Sequence, residues 1–306
     1  MTEFDSYRHY LEREKGRSVR TATEYINDVR GFRKHLDSST TGLPPSWAEV
    51  MPKHIRAYLT SLGDVSEHRT HRIVSSLRNW FEFLWKVQRD ITGNPALEIS
   101  KPKLPKRLPV YLQSHEVSRV IDAALKGSRR GQVDRNWALI AFMYGTGLRI
   151  SEVLGLRLDC VQYQDGVPSS VRVIGKGDKE REVPLSSTAQ RALHQWLKHR
   201  RLEGSPREPH VWVYTSGRSK GKPLQTRAVH KMLTRFTLEA GLGKISAHKL
   251  RSSFASALAD TGRSLDEIKE LLGHSSIATT QIYVRTSRAR LAAAAASLPD
   301  VLDVGR

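Results

Sequence analysis

Tyr144-Gly145-Thr146-Gly147-Leu148-Arg149-Ile150-Ser151-Glu152-Val153-Leu154-Gly155-Leu156 is the stretch on which the reading of this chain turns. Before it, Trp137 to Tyr144 is apolar enough for a buried helix, and Gly145-Thr146-Gly147 is expected to break that helix. After it, Ile150 to Leu156 predicts a second, short helix. Arg149 thus stands at a helix start directly behind a glycine-flanked turn. There the backbone can approach an anion closely and a guanidinium can be aimed at it. Glu152 follows within the same first turn, and a salt bridge to Arg149 accounts for the two residues equally well.

Working outward from this stretch, Ser170-Val171-Arg172-Val173-Ile174 alternates and is β-branched, Gly175-Lys176-Gly177 turns, and Glu180 to Pro184 returns, which predicts a hairpin. Thr188 to Arg200 predicts a helix, His210 to Tyr214 one more short strand, and Arg227 to about Ala296 mostly helix. Ser114 to Val117 opens a helix with Glu116 near its first turn. Cys160, the one cysteine, reads as a small buried filler; it excludes a disulfide within the chain and argues against a cysteine-based metal site.

The half from Phe4 to about Ser100 predicts only helices. Phe4, Tyr7, Tyr10 and Leu11 share one face, and Tyr25, Val29, Phe32 and Leu36 form the apolar face of the helix read from Thr21 to His35 and its next residue. Ser46 with Glu49 predicts a cap for the helix carrying Ile55, Tyr58, Leu59 and Leu62. A fourth helix, from about Ser66 to Val87, turns Ile73, Leu77, Trp80, Phe81 and Leu84 inward and carries Arg69, Arg72, Arg78 and Lys86 elsewhere around it. Lys101-Pro102-Lys103-Leu104-Pro105-Lys106-Arg107-Leu108-Pro109 is the clearest boundary: its prolines prevent a helix and its cations make an extended, electropositive linker. The expected division is residues 1–100, a linker at 101–109, and 110–306.

The chain has 306 residues, enough for two domains, and a formal net charge of +19. An excess of that size needs counter-charge, and nucleic acid is the partner it favours. Acidic residues are interleaved with basic ones, as in Asp178-Lys179-Glu180-Arg181, so the charge belongs to folded surfaces and not to a polybasic tail. The start is polar, without an apolar leader, and no apolar run is long enough to span a bilayer; a cytoplasmic protein without a membrane partner is expected.

Further places collect residues suited to a phosphodiester. Lys176 sits at the hairpin tip, a poor place for core packing, although a solvated turn lysine is the commoner case. His248 and Arg251, three residues apart, share a helix face and can converge on one anion. His274 follows a glycine in Leu271-Leu272-Gly273-His274, and Tyr283 ends Ile277-Ala278-Thr279-Thr280-Gln281-Ile282-Tyr283. Each of these is weak alone; their order is not. Together with Gly175-Lys176-Gly177-Asp178-Lys179, Val183-Pro184-Leu185, Ala247 to Phe254, Asn94-Pro95-Ala96 and the linker, they resemble the tyrosine recombinase/integrase superfamily, specifically its bacterial Xer type, over nearly the whole chain.

The resemblance implies a mainly α protein: an N-terminal helical DNA-binding bundle, SAM-like, and a mainly helical catalytic domain with a small antiparallel β-sheet, closing on the duplex as a clamp. It implies Tyr283 as the nucleophile, leaving a 3′-phosphotyrosine and a free 5′-hydroxyl. Arg149 and Arg251 would hold the non-bridging oxygens, His274 would add a hydrogen bond, Lys176 would be the general acid, and His248 would assist proton transfer. Glu152 would orient Arg149. Two guanidiniums take the place of a metal, and the covalent link conserves bond energy, so neither metal nor other cofactor is expected. Arg69, Arg72, Lys101, Lys103, Lys106 and Arg107 are the candidate DNA contacts. The expected partners are a double-stranded DNA recombination site, a homo- or hetero-tetramer with a paralogous recombinase, and a septal DNA translocase as activator, all at the nucleoid. Resolution of chromosome or plasmid dimers is the leading role, and a phage, plasmid or transposon integrase is the alternative. The complete catalytic set argues against a non-catalytic DNA-binding protein, and the short N-terminal domain against a topoisomerase of the same chemistry.

The linker reading is tested by salt. Each phosphate contact contributes a slope of roughly −0.9 to log K against log salt. Replacing Lys101, Lys103, Lys106 and Arg107 by alanine should flatten the slope of DNA binding, measured by fluorescence anisotropy. An unchanged slope would mean that the linker does not follow the backbone.

Overall fold

A computed structural model gives the fold and describes residues 2–38, 46–102, 111–129, 131–175, 180–203, 208–273 and Ala296. The chain divides into two compact units, Met1–Arg107 and Leu108–Arg306. Both are mainly helical, and the described strands all lie in the second. Among the described residues no helix is long and apolar enough to cross a membrane.

In the first unit α1 (Glu3–His9) runs on as a π turn over Tyr10–Glu14, followed by α2 (Val19–Ser38), α3 (Pro52–Ser61) and α4 (Glu67–Phe83), itself extended by a π turn over Leu84–Gln88. The apolar stripes read from the sequence meet in one core that contains Tyr7, Leu11, Val29, Phe32, Leu36, Ile55, Leu77 and Phe81. Trp80 is its hub, with ring centroids 4.9 Å from Tyr7, 5.2 Å from Trp47, 5.4 Å from Phe4 and 5.8 Å from Phe83. Ser46 opens only a single 3₁₀ turn, Trp47–Glu49, and Glu49 reaches the Ser46 hydroxyl at 3.4 Å, not its amide. The helix proper begins later because Pro52 suits a first helical position and holds Met51 extended, where the Met51 amide donates to His54 Nδ1 at 3.1 Å.

The second unit contains α5 (Ser114–Gly127), α6 (Val133–Thr146), α7 (Ile150–Gly155), β1 (Val161–Gln164), β2 (Val167–Ile174), β3 (Glu180–Pro184), α8 (Ser187–Glu203), α9 (Thr226–Glu239), α10 (Ala247–Asp260) and α11 (Leu265–Leu272). Helix α6 is apolar nearly all round and is accordingly buried from Ala138 to Met143. Gly145 does not break it. The helix runs through Gly145 because Ser186 and Ala189 press against that position: a Cβ there would lie 2.7 Å from Ser186 Oγ and 3.0 Å from the Ala189 Cβ. Gly147 ends the helix, left-handed at φ 61°, with Phe254 packed where its side chain would be.

The sheet is antiparallel in the order β1-β2-β3. Its β2–β3 pairing sets Val171 against Val183 and Ile174 against Glu180. Strand β1 was not foreseen; its turn is Asp165-Gly166, both with positive φ, the dipeptide favoured in tight hairpins. The segment His210 to Tyr214 is not a strand but makes isolated bridges, Arg157 with His210 and Val213 with Pro223. Val211, Trp212 and Val213 are all buried there, so no solvent face is left to alternate with. Trp212 stacks on Trp196 at 5.8 Å, and Trp196 Nε1 donates to the Val211 carbonyl at 2.8 Å. Cys160 packs against the core but is only half-buried, with its thiol 3.7 Å from Asp159 Oδ1.

Candidate active site

Four of the residues singled out in the sequence meet in the second unit. Arg149 is the N-cap of α7, and Glu152 lies one turn inside it. The Glu152 carboxylate accepts from the Arg149 backbone amide at 2.8 Å and from Arg149 Nη1 at 2.9 Å, closing the helix start on itself. Arg251, one turn along α10 from His248, approaches the same carboxylate at 4.0 Å. Its guanidinium donates to the Gly147 carbonyl at 2.8 Å and the Leu272 carbonyl at 2.6 Å. Arg149 Nη2 adds a bond of 3.3 Å to the Gly273 carbonyl. These guanidiniums therefore sit on the carbonyl end of α11, where a helix carries partial negative charge.

Burial divides their tasks. The side chains of Glu152 and Arg251 are 4% and 3% exposed, whereas that of Arg149 is 38% exposed and faces solvent. Burial alone would raise the Glu152 carboxyl, but bonds from Arg181 and Arg149 outweigh it and hold the group below the ordinary glutamate value. His248 is exposed, yet loss of hydration around its ring, followed by the charges of Arg251 and Arg149, lowers its pKa. It is therefore kept neutral near pH 7, with a ring nitrogen able to take a proton.

Arg181, on β3, was missed. It forks onto Glu152, Nη1 to Oε1 at 3.0 Å and Nη2 to Oε2 at 3.1 Å, and so supplies the two-pronged partner of that carboxylate. The signal was in the strand period: Arg181 is in phase with buried Val183, while Glu180 and Glu182 are exposed.

Lys176, His274 and Tyr283 lie outside the described residues, as do Lys103, Lys106 and Arg107. In the first unit Arg69 is exposed on α4. Arg72 is engaged by carboxylates, at 3.3 Å from Glu24 and 3.0 Å from Asp28. Lys101 is half-buried. Arg78 pins the end of the unit to α4, donating to the carbonyls of Ala96, Leu97 and Ile99.

Guanidiniums gathered around one buried carboxylate, beside a histidine whose charged form is disfavoured, form a corner able to receive an anion. The model of the phage integrase family matches residues 110–290, and that of the phage integrase N-terminal SAM-like domain matches residues 4–88. The chain is 34% identical to the tyrosine recombinase XerD of Oceanobacillus iheyensis, over 94% of each chain. It is 35% identical to the tyrosine recombinase XerC of Halalkalibacterium halodurans, over 92% of each. In fold it is similar to the XerH site-specific recombinase in a post-cleavage complex with palindromic difH, with TM-score 0.73, 22% identity, and 97% of this chain and 85% of that one covered. It is also similar to a λ integrase(75–356) dimer bound to a COC′ core site, with TM-score 0.69, 20% identity, and 93% and 95% covered. The chain belongs to the phage integrase family and is a tyrosine recombinase.

Because the Glu152 carboxyl is held low in the folded state, its stabilisation is complete above the ordinary glutamate value and is lost as pH falls through the lowered one. Glu152→Gln should therefore be less stable than wild type near neutral pH, by about 3 kcal/mol. The gap in urea unfolding free energy should narrow on going from about pH 7 to about pH 4. A gap independent of pH would show that the carboxylate charge is not what the arginines use.

Proposed function

We propose that this chain cuts and rejoins DNA at a specific site through a phosphotyrosine at Tyr283. The observation that carries the reading is the convergence of Arg149, Arg251 and Glu152 on one carbonyl-lined corner, with His248 on the same helix face as Arg251. The order of Lys176, His274 and Tyr283 in the sequence supports it.

In this reading the Tyr283 oxygen attacks phosphorus, the P–O bond to the 5′-oxygen breaks, and Lys176 gives that oxygen its proton. Tyrosine ordinarily holds its proton up to a pH of roughly 10, so the neutral His248 is suited to receive it. Arg149 and Arg251, with His274, stabilise the negative charge that grows on the non-bridging oxygens. Rejoining is the reverse, with a 5′-hydroxyl as nucleophile and no energy source. The first unit, about residues 1–100, is the DNA-binding bundle, with the basic stretch 101–109 joining it to the catalytic unit at 110–306. In that bundle Arg69 is better placed than Arg72 to meet phosphate, since Arg72 already serves Glu24 and Asp28.

A λ integrase of the same fold is known as a tetramer on a Holliday junction. This chain is proposed to work likewise as a tetramer on two duplex sites, alone or with a paralogue. The similarity to the tyrosine recombinases XerC and XerD is consistent with resolving chromosome or plasmid dimers; the chain is further proposed to act at the nucleoid with a septal DNA translocase as activator.

A nicked suicide substrate should trap a denaturation-resistant adduct at the DNA 3′ end, and Tyr283→Phe should bind the same DNA and give none. An adduct from the Phe variant would remove Tyr283 from the role. The acid is separated from the clamp by a 5′-phosphorothiolate, whose sulfur leaves without a proton. Lys176→Ala should be severely slow on ordinary DNA and largely restored on the sulfur substrate, while Arg251→Ala should be slow on both. Equal defects of Lys176→Ala on the two would leave it a binding residue.

A further inference from the structure

The Glu152 carboxylate is shared unequally. Arg149 gives it one guanidinium bond and its own backbone amide, and Arg251 stands at 4.0 Å. Among the described residues Arg181 alone reaches both oxygens with both terminal nitrogens. A carboxylate without that fork would draw the other guanidiniums onto itself, since a nearly buried anion takes whichever cation is near. The fork meets that need from a residue on a different element. Arg181 has a second grip: Nη2 donates to the Leu272 carbonyl at 3.4 Å, and its guanidinium packs over Gly273, where a Cβ would lie 2.6 Å from Arg181 Cζ and 2.7 Å from Nε. Gly273 has φ 63°, so both the conformation and the space exclude a larger residue. Arg181 Nε is buried without a hydrogen-bond partner among the described residues. A guanidinium held at the expense of one of its own donors is fixed by its other contacts, here the fork and the helix end.

We infer that Arg181 is a positioning residue for strand cleavage: as the forked counter-ion of Glu152 it leaves the charges of Arg149 and Arg251 to the scissile phosphate, and it locks the end of α11 on which both arginines rest. The inference deepens the strand-cleavage reading and rests on it. Arg181 touches no reacting atom in this account; it acts through Glu152 and the Leu272–Gly273 carbonyls.

The test is a double-mutant cycle read in single-turnover cleavage of a nicked suicide substrate, with DNA affinity and circular dichroism measured on every variant. Arg181→Gln should bind DNA within about twofold of wild type yet cleave about 10- to 100-fold more slowly, the range lost when the hydrogen-bonded partner of a metal-ligating residue is removed in metalloenzymes. Adding Glu152→Gln should speed cleavage relative to Arg181→Gln alone, by about tenfold, because the unbalanced carboxylate is gone. Arg181→Lys, which keeps the charge and loses the fork, should fall between wild type and Arg181→Gln. A merely structural arginine would give no such recovery: a double variant as slow as the product of the single defects, or Arg181→Gln cleaving at the wild-type rate, overturns the inference and leaves the family chemistry standing. A wild-type protein that leaves no adduct sinks the cleavage reading and this inference with it.

Discussion

One nearly buried carboxylate organises the second unit. Glu152 sits where α7 begins, and around it are guanidiniums from three separate elements: the α7 start, strand β3 and helix α10. Buried ion pairs seldom add net stability, because desolvation of the charges offsets their attraction. What this cluster supplies is placement. Each guanidinium is also bonded to a carbonyl at the end of α11, so the position of one arginine fixes the others. Dense interiors resist continuous deformation, and a charge held in this way does not need to reorganise when an anion arrives.

Much of this was legible because helical spacing is a strong signal. The stripes through Tyr7, Val29, Phe32, Leu77 and Trp80 are core in the structure, and the pairing of Arg149 with Glu152 follows from their places in one turn. His248 and Arg251 lie one turn apart on α10, as their spacing requires. Of the two open accounts of Arg149, the salt bridge is present, and it leaves the side chain 38% exposed, so the two accounts do not exclude each other.

What was not legible depended on tertiary approach. Gly145 looked like a helix breaker, but its lack of a side chain answers to α8 pressing on α6. His210 to Tyr214 has the composition of a strand, yet its middle, Val211 to Val213, is wholly buried and the segment finds only isolated bridges. Arg181 stood in a run of alternating charges that passes for a solvated surface, and only the phase shared with Val183 marked it as inward. Arg72 looked like a surface cation available for phosphate, and its answering carboxylates come from a helix 44 residues away in sequence. Composition reports what a residue is; partners of this kind are set by the fold.

The bonds that close the cluster are far apart along the chain: Arg251 to Gly147 spans 104 residues, Arg181 to Leu272 spans 91, and Arg149 to Gly273 spans 124. Synthesis runs from the N-terminus, so the helix end that seats all three arginines is among the last of the described elements to leave the ribosome. Nascent chains that already carry Arg149, Glu152 and Arg181 lack the carbonyls that hold them in place. The cluster is thus closed only after α11 has been made, and fragments released before it carry the three charged side chains without the framework that fixes them.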